Sequence, residues 1–145
     1  MWWLKMAKTV AERSHDAETK VGAILININS GAILATGYNG FVRGANDDIL
    51  PRHRPHKYKY IVHAEQNLIC NAARHGITMD NCICVTTMSP CILCMRLLWQ
   101  CGIRIVITDN LYYDIEEIQE MADIKVRISR GETKDKTYYE IAYAQ

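Results

Sequence analysis

Apolar and polar residues alternate along the chain in blocks that change period from helix to strand. Residues 2–14 carry apolar side chains at helical spacing, which predicts an amphipathic first helix. Two β-rich runs follow, KVGAILINI and AILATGYN, with NSG between them. Short β-rich runs joined by such a turn predict a hairpin.

The second half repeats a helix-then-strand order. HAEQNLICNAARHG, from residue 63, predicts a helix that stops near Gly76, and PCILCMRLLWQCG predicts another between Pro90 and Gly102. The strands NCICVTTM and IRIVIT follow these two helices in turn, and a helix near 114–122 precedes the strand IKVRI. We predict a terminal helix for KTYYEIAYA.

This order predicts one three-layer α/β/α domain over residues 1–145 with a central mixed five-stranded sheet. The strand-helix-strand steps after residue 81 favour parallel pairing in that part of the sheet.

The segment 40–60, GFVRGANDDILPRHRPHKYKY, has the glycines, prolines and charges of a long loop, and such loops are usually functional or mobile. Tyr58 and Tyr60 within it either line a pocket or pack at the core edge. Its cations could bind a phosphate, or could form a solvated basic loop: Arg43, Arg52, Arg54, Lys57 and Lys59.

Composition narrows the classes of function. With 17 basic and 16 acidic residues the net charge is +1, which gives no general attraction to a nucleic acid. An 18-residue apolar run is lacking and the opening segment is broken by charges, so we expect a cytosolic protein without a signal peptide or spanning helix. The six cysteines would then stay reduced, which favours metal binding or burial over disulfides.

Four residues have the types and spacing of a metal-dependent hydrolytic site. His63 and Glu65 lie at the start of one predicted helix, and Cys91 and Cys94 lie at the start of another. One histidine and two cysteines would give zinc three ligands and leave a position for water, as in catalytic zinc sites. Zinc lowers the pKa of bound water towards neutrality, and Glu65 could then move the proton.

The combined pattern H-x-E…P-C-x-x-C is the signature of zinc nucleobase deaminases. In addition, TKVGAILI, GYNGFVRG, KYKYIVHAEQN and SPCILC resemble consecutive blocks of the deoxycytidylate (dCMP) deaminase family over about residues 2–110. The resemblance implies the cytidine-deaminase fold and hydrolysis of dCMP to dUMP and ammonia. Some members bind a second, structural zinc through Cys or His of the loop before H-A-E. That loop has His53 and His56 but no cysteine here, so we expect one zinc ion per chain.

The resemblance also implies roles for individual residues. His63, Cys91 and Cys94 would bind zinc and Glu65 would be the catalytic acid and base. The substrate would contact a further set: Asn39, Ala64, Ser89, Pro90 and Tyr60. A phosphate or an allosteric nucleotide would contact Gly40, Phe41, Arg43 and Lys57.

Further expectations come from the family alone. Many relatives form homohexamers and respond to dCTP and dTTP, with Mg²⁺ accompanying the effector nucleotide. Val42 follows Phe41 where the family commonly has proline, so this loop departs from the pattern.

Three alternatives stay open. The substrate could be dCTP or a C5-modified dCMP. The chain could also be a polynucleotide or tRNA deaminase, which shares the metal core but should have a basic groove. A structural zinc module would use the same ligands but would give Glu65 no task.

Overall fold

The computed structural model describes residues 2–111, 115–120, 125–133 and 136–144. In these ranges the helices are α1 (Trp2–Ala11), α2 (Ala64–Arg74), α3 (Ile92–Gln100) and α4 (Ile115–Glu120), with a 3₁₀ turn at His56–Lys59. The strands are β1 (Gly22–Asn27), β2 (Ile33–Tyr38), β3 (Gly40–Phe41), β4 (Ile61–Val62), β5 (Cys82–Thr86), β6 (Ile105–Thr108), β7 (Lys125–Thr133) and β8 (Lys136–Ala144). None of the described helices is long and apolar enough to cross a bilayer.

The main sheet is mixed. Its strand order, over the described residues, is β2-β1-β5-β6-β8-β7. The hairpin predicted for β1 and β2 is present, and β5 and β6 are parallel as expected, while the other neighbours pair antiparallel. The predicted α/β class is therefore confirmed.

The terminal segment differs from its prediction. The sequence predicts five strands and a last helix, whereas residues 136–144 form a sixth strand, β8, between β6 and β7. KTYYEIAYA is rich in aromatic and β-branched residues, which favour a pleated sheet. Ile141 and Ala142 of β8 are buried beside β6, so tertiary packing decides the structure of a segment whose apolar spacing also suits a helix.

Helices cover both faces of the sheet. In β1, Ala23 and Leu25 point into the core shared with α2 and α3, while Ile24 and Ile26 point towards α1. This strict alternation of a fully buried central strand is what a three-layer arrangement requires. The predicted α/β/α layering is confirmed.

Two glycines let helices approach the sheet closely. A Cβ added to Gly22 would overlap the backbone of α1 at Ala7 and Ala11, and one added to Gly37 would overlap the backbone of α2 at Ala64 and Leu68. Gly37 thereby fixes how near the first turn of α2 lies to β2.

The long loop is closed at its base. Gly40–Phe41 pairs antiparallel with Ile61–Val62 in a two-stranded sheet, so the ends of the loop lie side by side. The chain leaves this ladder at Val62 and enters α2 immediately afterwards, which places the start of α2 beside the loop.

Candidate active site

Two helix N-termini bring the metal-ligand candidates together. His63 is the N-cap of α2 and Cys91 is the N-cap of α3, and both have extended backbone conformations. Gln66 Oε1 accepts a hydrogen bond of 2.9 Å from the His63 backbone N–H, which fixes the first turn of α2. His63 Nδ1 lies 3.6 Å from Cys91 Sγ and 3.4 Å from Cys94 Sγ.

These three side chains fit a tetrahedral zinc ion. Their ligand atoms all lie within 4.8 Å of one another. Ordinary Zn–S and Zn–N bond lengths at a tetrahedral angle put nitrogen and sulfur roughly 3.6 Å apart, close to the separations seen here. The donor set of one imidazole and two thiols is also the set that zinc prefers.

The two thiols differ in acidity. Hydrogen bonds from Cys94, the larger cause, and from His63 lower the pKa of Cys91 to about 4, against the effect of burial. The hydrogen bond with Cys91, together with burial and the nearby Glu65 carboxylate, raises the pKa of Cys94. Cys91 is thus the first thiolate of the pair, and binding of zinc by both sulfurs must release the proton of Cys94.

Glu65 is buried beside this cluster. Its side chain lies in the first turn of α2, only 4% exposed, and Thr86 Oγ1 donates a hydrogen bond of 3.2 Å to Glu65 Oε1. Burial is the largest cause of the raised pKa of Glu65. A carboxyl group whose pKa is moved towards neutrality can both accept and donate a proton, as a proton shuttle must.

A cavity of about 130 Å³ opens next to the cluster. Seven of the residues expected at the site line it: Asn39, Lys57, His63, Ala64, Glu65, Ser89 and Cys91. Arg54 and Tyr58 of the long loop, for which a phosphate or pocket role was one of two interpretations, also line it. The other lining residues were not singled out from the sequence: Asp16, Thr19, Val21, Ile61 and Met88.

Asn39 clamps the cavity wall as well as lining it. Its Oδ1 accepts a hydrogen bond of 2.8 Å from the backbone N–H of Val21, and its Nδ2 donates one of 2.8 Å to the carbonyl of Thr19. Ser14 Oγ donates to the Asn39 carbonyl at 2.8 Å. The asparagine therefore ties the end of β2 to the segment that leads into β1.

Lys57 is buried and paired with carboxylates, whereas the sequence suggested a loop cation that is solvated or binds a phosphate. Its side chain is only 3% exposed, and its ammonium group bonds both oxygens of Asp16, at 2.8 and 2.9 Å, and Glu18 Oε2 at 3.0 Å. Sequence motifs did not identify Asp16 and Glu18. These residues lie far from Lys57 in the chain, so their ion pairs with it produce no local sequence pattern.

The remaining predicted residues lie outside the lining of this cavity. The Lys59 ammonium nitrogen lies over the Tyr60 ring, 5.7 Å from the ring centroid. Tyr58, rather than Tyr60, faces the cavity. Pro90 is buried between Ser89 and Cys91. Gly40 and Phe41 line a smaller neighbouring cavity, and Arg43 donates to Asn71 Oδ1 at 3.3 Å.

A His-Cys-Cys cluster and a buried glutamate at two helix starts, on an α/β/α sheet, define the class of zinc-dependent deaminases. A family profile described as the cytidine and deoxycytidylate deaminase zinc-binding region matches residues 1–109. The chain belongs to this family and is a deaminase.

Individual relatives agree with the family. The deoxycytidylate deaminase of Mus musculus is 33% identical over 123 residues, spanning 80% of this chain and 67% of the mouse protein. The crystal structure of a dCMP deaminase from the cyanophage S-TIM5 in apo form is similar with a TM-score of 0.68 at 29% identity, covering 82% of this chain and 88% of that one. The same phage enzyme in complex with dCMP and dUMP gives a TM-score of 0.67, again at 29% identity and with the same coverage.

Proposed function

We propose that the protein catalyses zinc-dependent hydrolytic deamination of a deoxycytidine nucleotide, converting dCMP and water into dUMP and ammonia. The observation that carries this proposal is that the buried Glu65 lies beside the cluster of His63, Cys91 and Cys94, and that Glu65, His63 and Cys91 line one cavity. The substrate class is supported by the mouse relative's name and by the nucleotides bound in the cyanophage enzyme.

Metal binding and proton transfer would be carried out by different residues. Zinc held by His63, Cys91 and Cys94 would supply activation of a water nucleophile at neutral pH. Glu65 takes one proton of the attacking water and delivers it to N3 of the cytosine ring. It then takes the second proton from the hydroxyl group now on C4 and delivers it to the amino group, which leaves as ammonia while C4 becomes a carbonyl. Its burial suits both transfers, because the raised pKa lets the carboxyl group hold a proton between the two steps.

The walls of the cavity would hold the nucleotide. Ala64 and Ser89 flank the metal cluster and would position the pyrimidine ring, while Asn39 would contact the sugar from the segment it clamps. Arg54 lines the same cavity and is the cation we assign to the phosphate, since a guanidinium matches phosphate geometry. This assignment replaces Lys57, whose ammonium group is occupied by carboxylates.

Several family expectations stay predictions. These are the homohexamer, the response to dCTP and dTTP through Gly40, Phe41 and Arg43, the accompanying Mg²⁺, the cytosolic location, and activity on dCTP or C5-modified dCMP. A single domain over the whole chain is also a prediction.

The test is ammonia release by zinc-loaded protein with dCMP, dCTP, deoxycytidine, CMP and 5-methyl-dCMP at equal concentration. We expect dCMP to be turned over much faster than deoxycytidine, because the phosphate contributes binding energy. If zinc-loaded protein releases no ammonia from any of these five compounds, the proposal is overturned and a polynucleotide substrate is favoured. Filter binding to RNA at low salt would then test that alternative.

A further inference from the structure

A charged network joins two loops beside the cavity. Lys57 Nζ contacts three carboxylate oxygens, two on Asp16 and one on Glu18, at 2.8 to 3.0 Å. An ammonium group has three N–H donors, so these contacts use its full capacity. Although Lys57 lines the cavity, it has no donor left for a phosphate while this arrangement holds.

Glu18 links Lys57 to Arg54. The same Glu18 Oε2 accepts a hydrogen bond of 3.1 Å from the Arg54 backbone N–H and lies 3.9 Å from Arg54 Nε. Arg54 Nη2 in turn donates to Thr19 Oγ1 at 2.5 Å. The orientation of the guanidinium group is therefore fixed by the segment that carries Glu18 and Thr19.

The segment itself is anchored from the other side. Asp16 Oδ1 accepts hydrogen bonds from the backbone N–H groups of Glu18 and Thr19, at 2.8 and 2.9 Å. Because Lys57 binds this carboxylate as well as Glu18, it holds the turn 16–19 in one place against the long loop.

We propose that Lys57 is a positioning residue for the anionic group of the substrate, acting through Asp16 and Glu18 to hold Arg54 at the cavity rather than contacting the anion itself. This inference rests on the proposed function, since it takes a nucleotide as the ligand. If Lys57 contacts the anion directly, the losses of dUMP affinity caused by substituting Lys57 and Arg54 should add. If Lys57 acts by positioning Arg54, the two losses should not add.

The experiment is a double-mutant cycle read by calorimetry on zinc-loaded protein. The dissociation constants of dUMP and of deoxyuridine are measured for the wild type, Lys57→Met, Arg54→Gln and the double variant. Deoxyuridine lacks the phosphate, so the ratio of the two constants isolates recognition of the anion. The matched control is Lys59→Met, a neighbouring exposed lysine outside the cavity lining.

We expect Lys57→Met to weaken dUMP about tenfold while changing deoxyuridine by less than about twofold, the scale of one charged hydrogen bond. The double variant should be no worse than Arg54→Gln alone, because Lys57 acts through Arg54. Additive losses would make Lys57 a direct ligand and overturn the inference. Equal losses for dUMP and deoxyuridine would show only a structural role and would also overturn it.

A second variant tests the inference in case Lys57→Met does not fold. Glu18→Gln breaks the same link at a position whose side chain is 28% exposed, and it should also weaken dUMP selectively and non-additively with Arg54→Gln. An unchanged ratio in Glu18→Gln would overturn the inference even if Lys57→Met fails to fold. If wild-type protein shows no preference for dUMP over deoxyuridine, the nucleotide specificity in the proposed function fails first. If that preference is present but Lys57→Met retains it, only this inference fails.

Discussion

The two halves of the candidate site are held in place by different means. The metal half, His63, Glu65, Cys91 and Cys94, lies at the starts of two helices that pack on the sheet. The recognition half, Asp16, Glu18, Arg54 and Lys57, lies on loops joined to each other by ion pairs and hydrogen bonds. Helix packing holds the metal-binding and proton-transfer residues in place. Ion pairs between loops hold the residues that would select the substrate.

The largest effect should come from removing a metal ligand. Cys94→Ser should abolish zinc binding and all measurable turnover, because two remaining ligands make a poor zinc site. Zinc content by atomic absorption and ammonia release measure the outcome. Cys70→Ser, which changes an exposed cysteine of α2, is the matched control and should keep both. Stoichiometric zinc in Cys94→Ser would contradict the proposed ligand set.

The next effect separates proton transfer from metal binding within the same half. Glu65→Gln keeps the shape of the side chain but cannot shuttle a proton, so turnover should fall by roughly 10²–10⁴-fold. Zinc content and the melting temperature should stay close to those of the wild type. Full activity in this variant would remove Glu65 from the mechanism.

A third prediction concerns the packing that supports the metal half. Gly37→Ala should destabilise the protein by about 1–3 kcal/mol, because the added methyl group would overlap the backbone of α2 at Ala64 and Leu68. Thermal unfolding measures the loss, and zinc affinity should fall with it as the start of α2 shifts. Gly40→Ala is the control, since a Cβ there has nothing within 4 Å. Equal melting temperatures for the two variants would show that α2 has room to move.

The smallest effect should be a pH dependence of the recognition half. Burial raises the pKa of Asp16, but hydrogen bonds from Lys57 and from the backbone outweigh it, and the net pKa lies below the ordinary value of 3.8. The stability from ionised Asp16 is therefore fully present above that value and is lost as the pH falls through the lowered pKa.

Wild-type protein should accordingly be more stable than Asp16→Asn at neutral pH, by roughly 1–2 kcal/mol. The difference should narrow as the pH falls below 3.8, the ordinary pKa of this carboxyl group. Denaturant unfolding across this range measures it. A difference that stays constant with pH would mean that the charge of Asp16 contributes nothing.

Sequence reasoning works for the metal half because its signals are local. H-x-E and P-C-x-x-C each fit within one helix turn, and the helix and strand between them follow from apolar periodicity. The recognition half has no such signal, since Lys57 lies 41 positions after Asp16 and Arg54 lies 36 positions after Glu18. Lys57 could be identified as a cation of the loop, but its burial and partners come only from the fold.

Two other differences have the same physical origin. The segment 136–144 forms a strand because its neighbours in the sheet are β6 and β7, although its spacing alone suits a helix. Asn39 clamps the segment at Thr19 and Val21 through hydrogen bonds 20 and 18 residues apart in sequence. Contacts between distant segments decide both cases.

The two-residue ladder at the base of the long loop has a consequence for protein engineering. Since Gly40–Phe41 and Ile61–Val62 hold the loop ends together, we expect that residues 42–60 can be replaced by those of another family member with little movement of the helix that follows. Such a graft should carry a new substrate preference only when residues 14–21 are exchanged with it. The unit to exchange is thus a pair of loops that lie far apart in sequence and are joined by ion pairs.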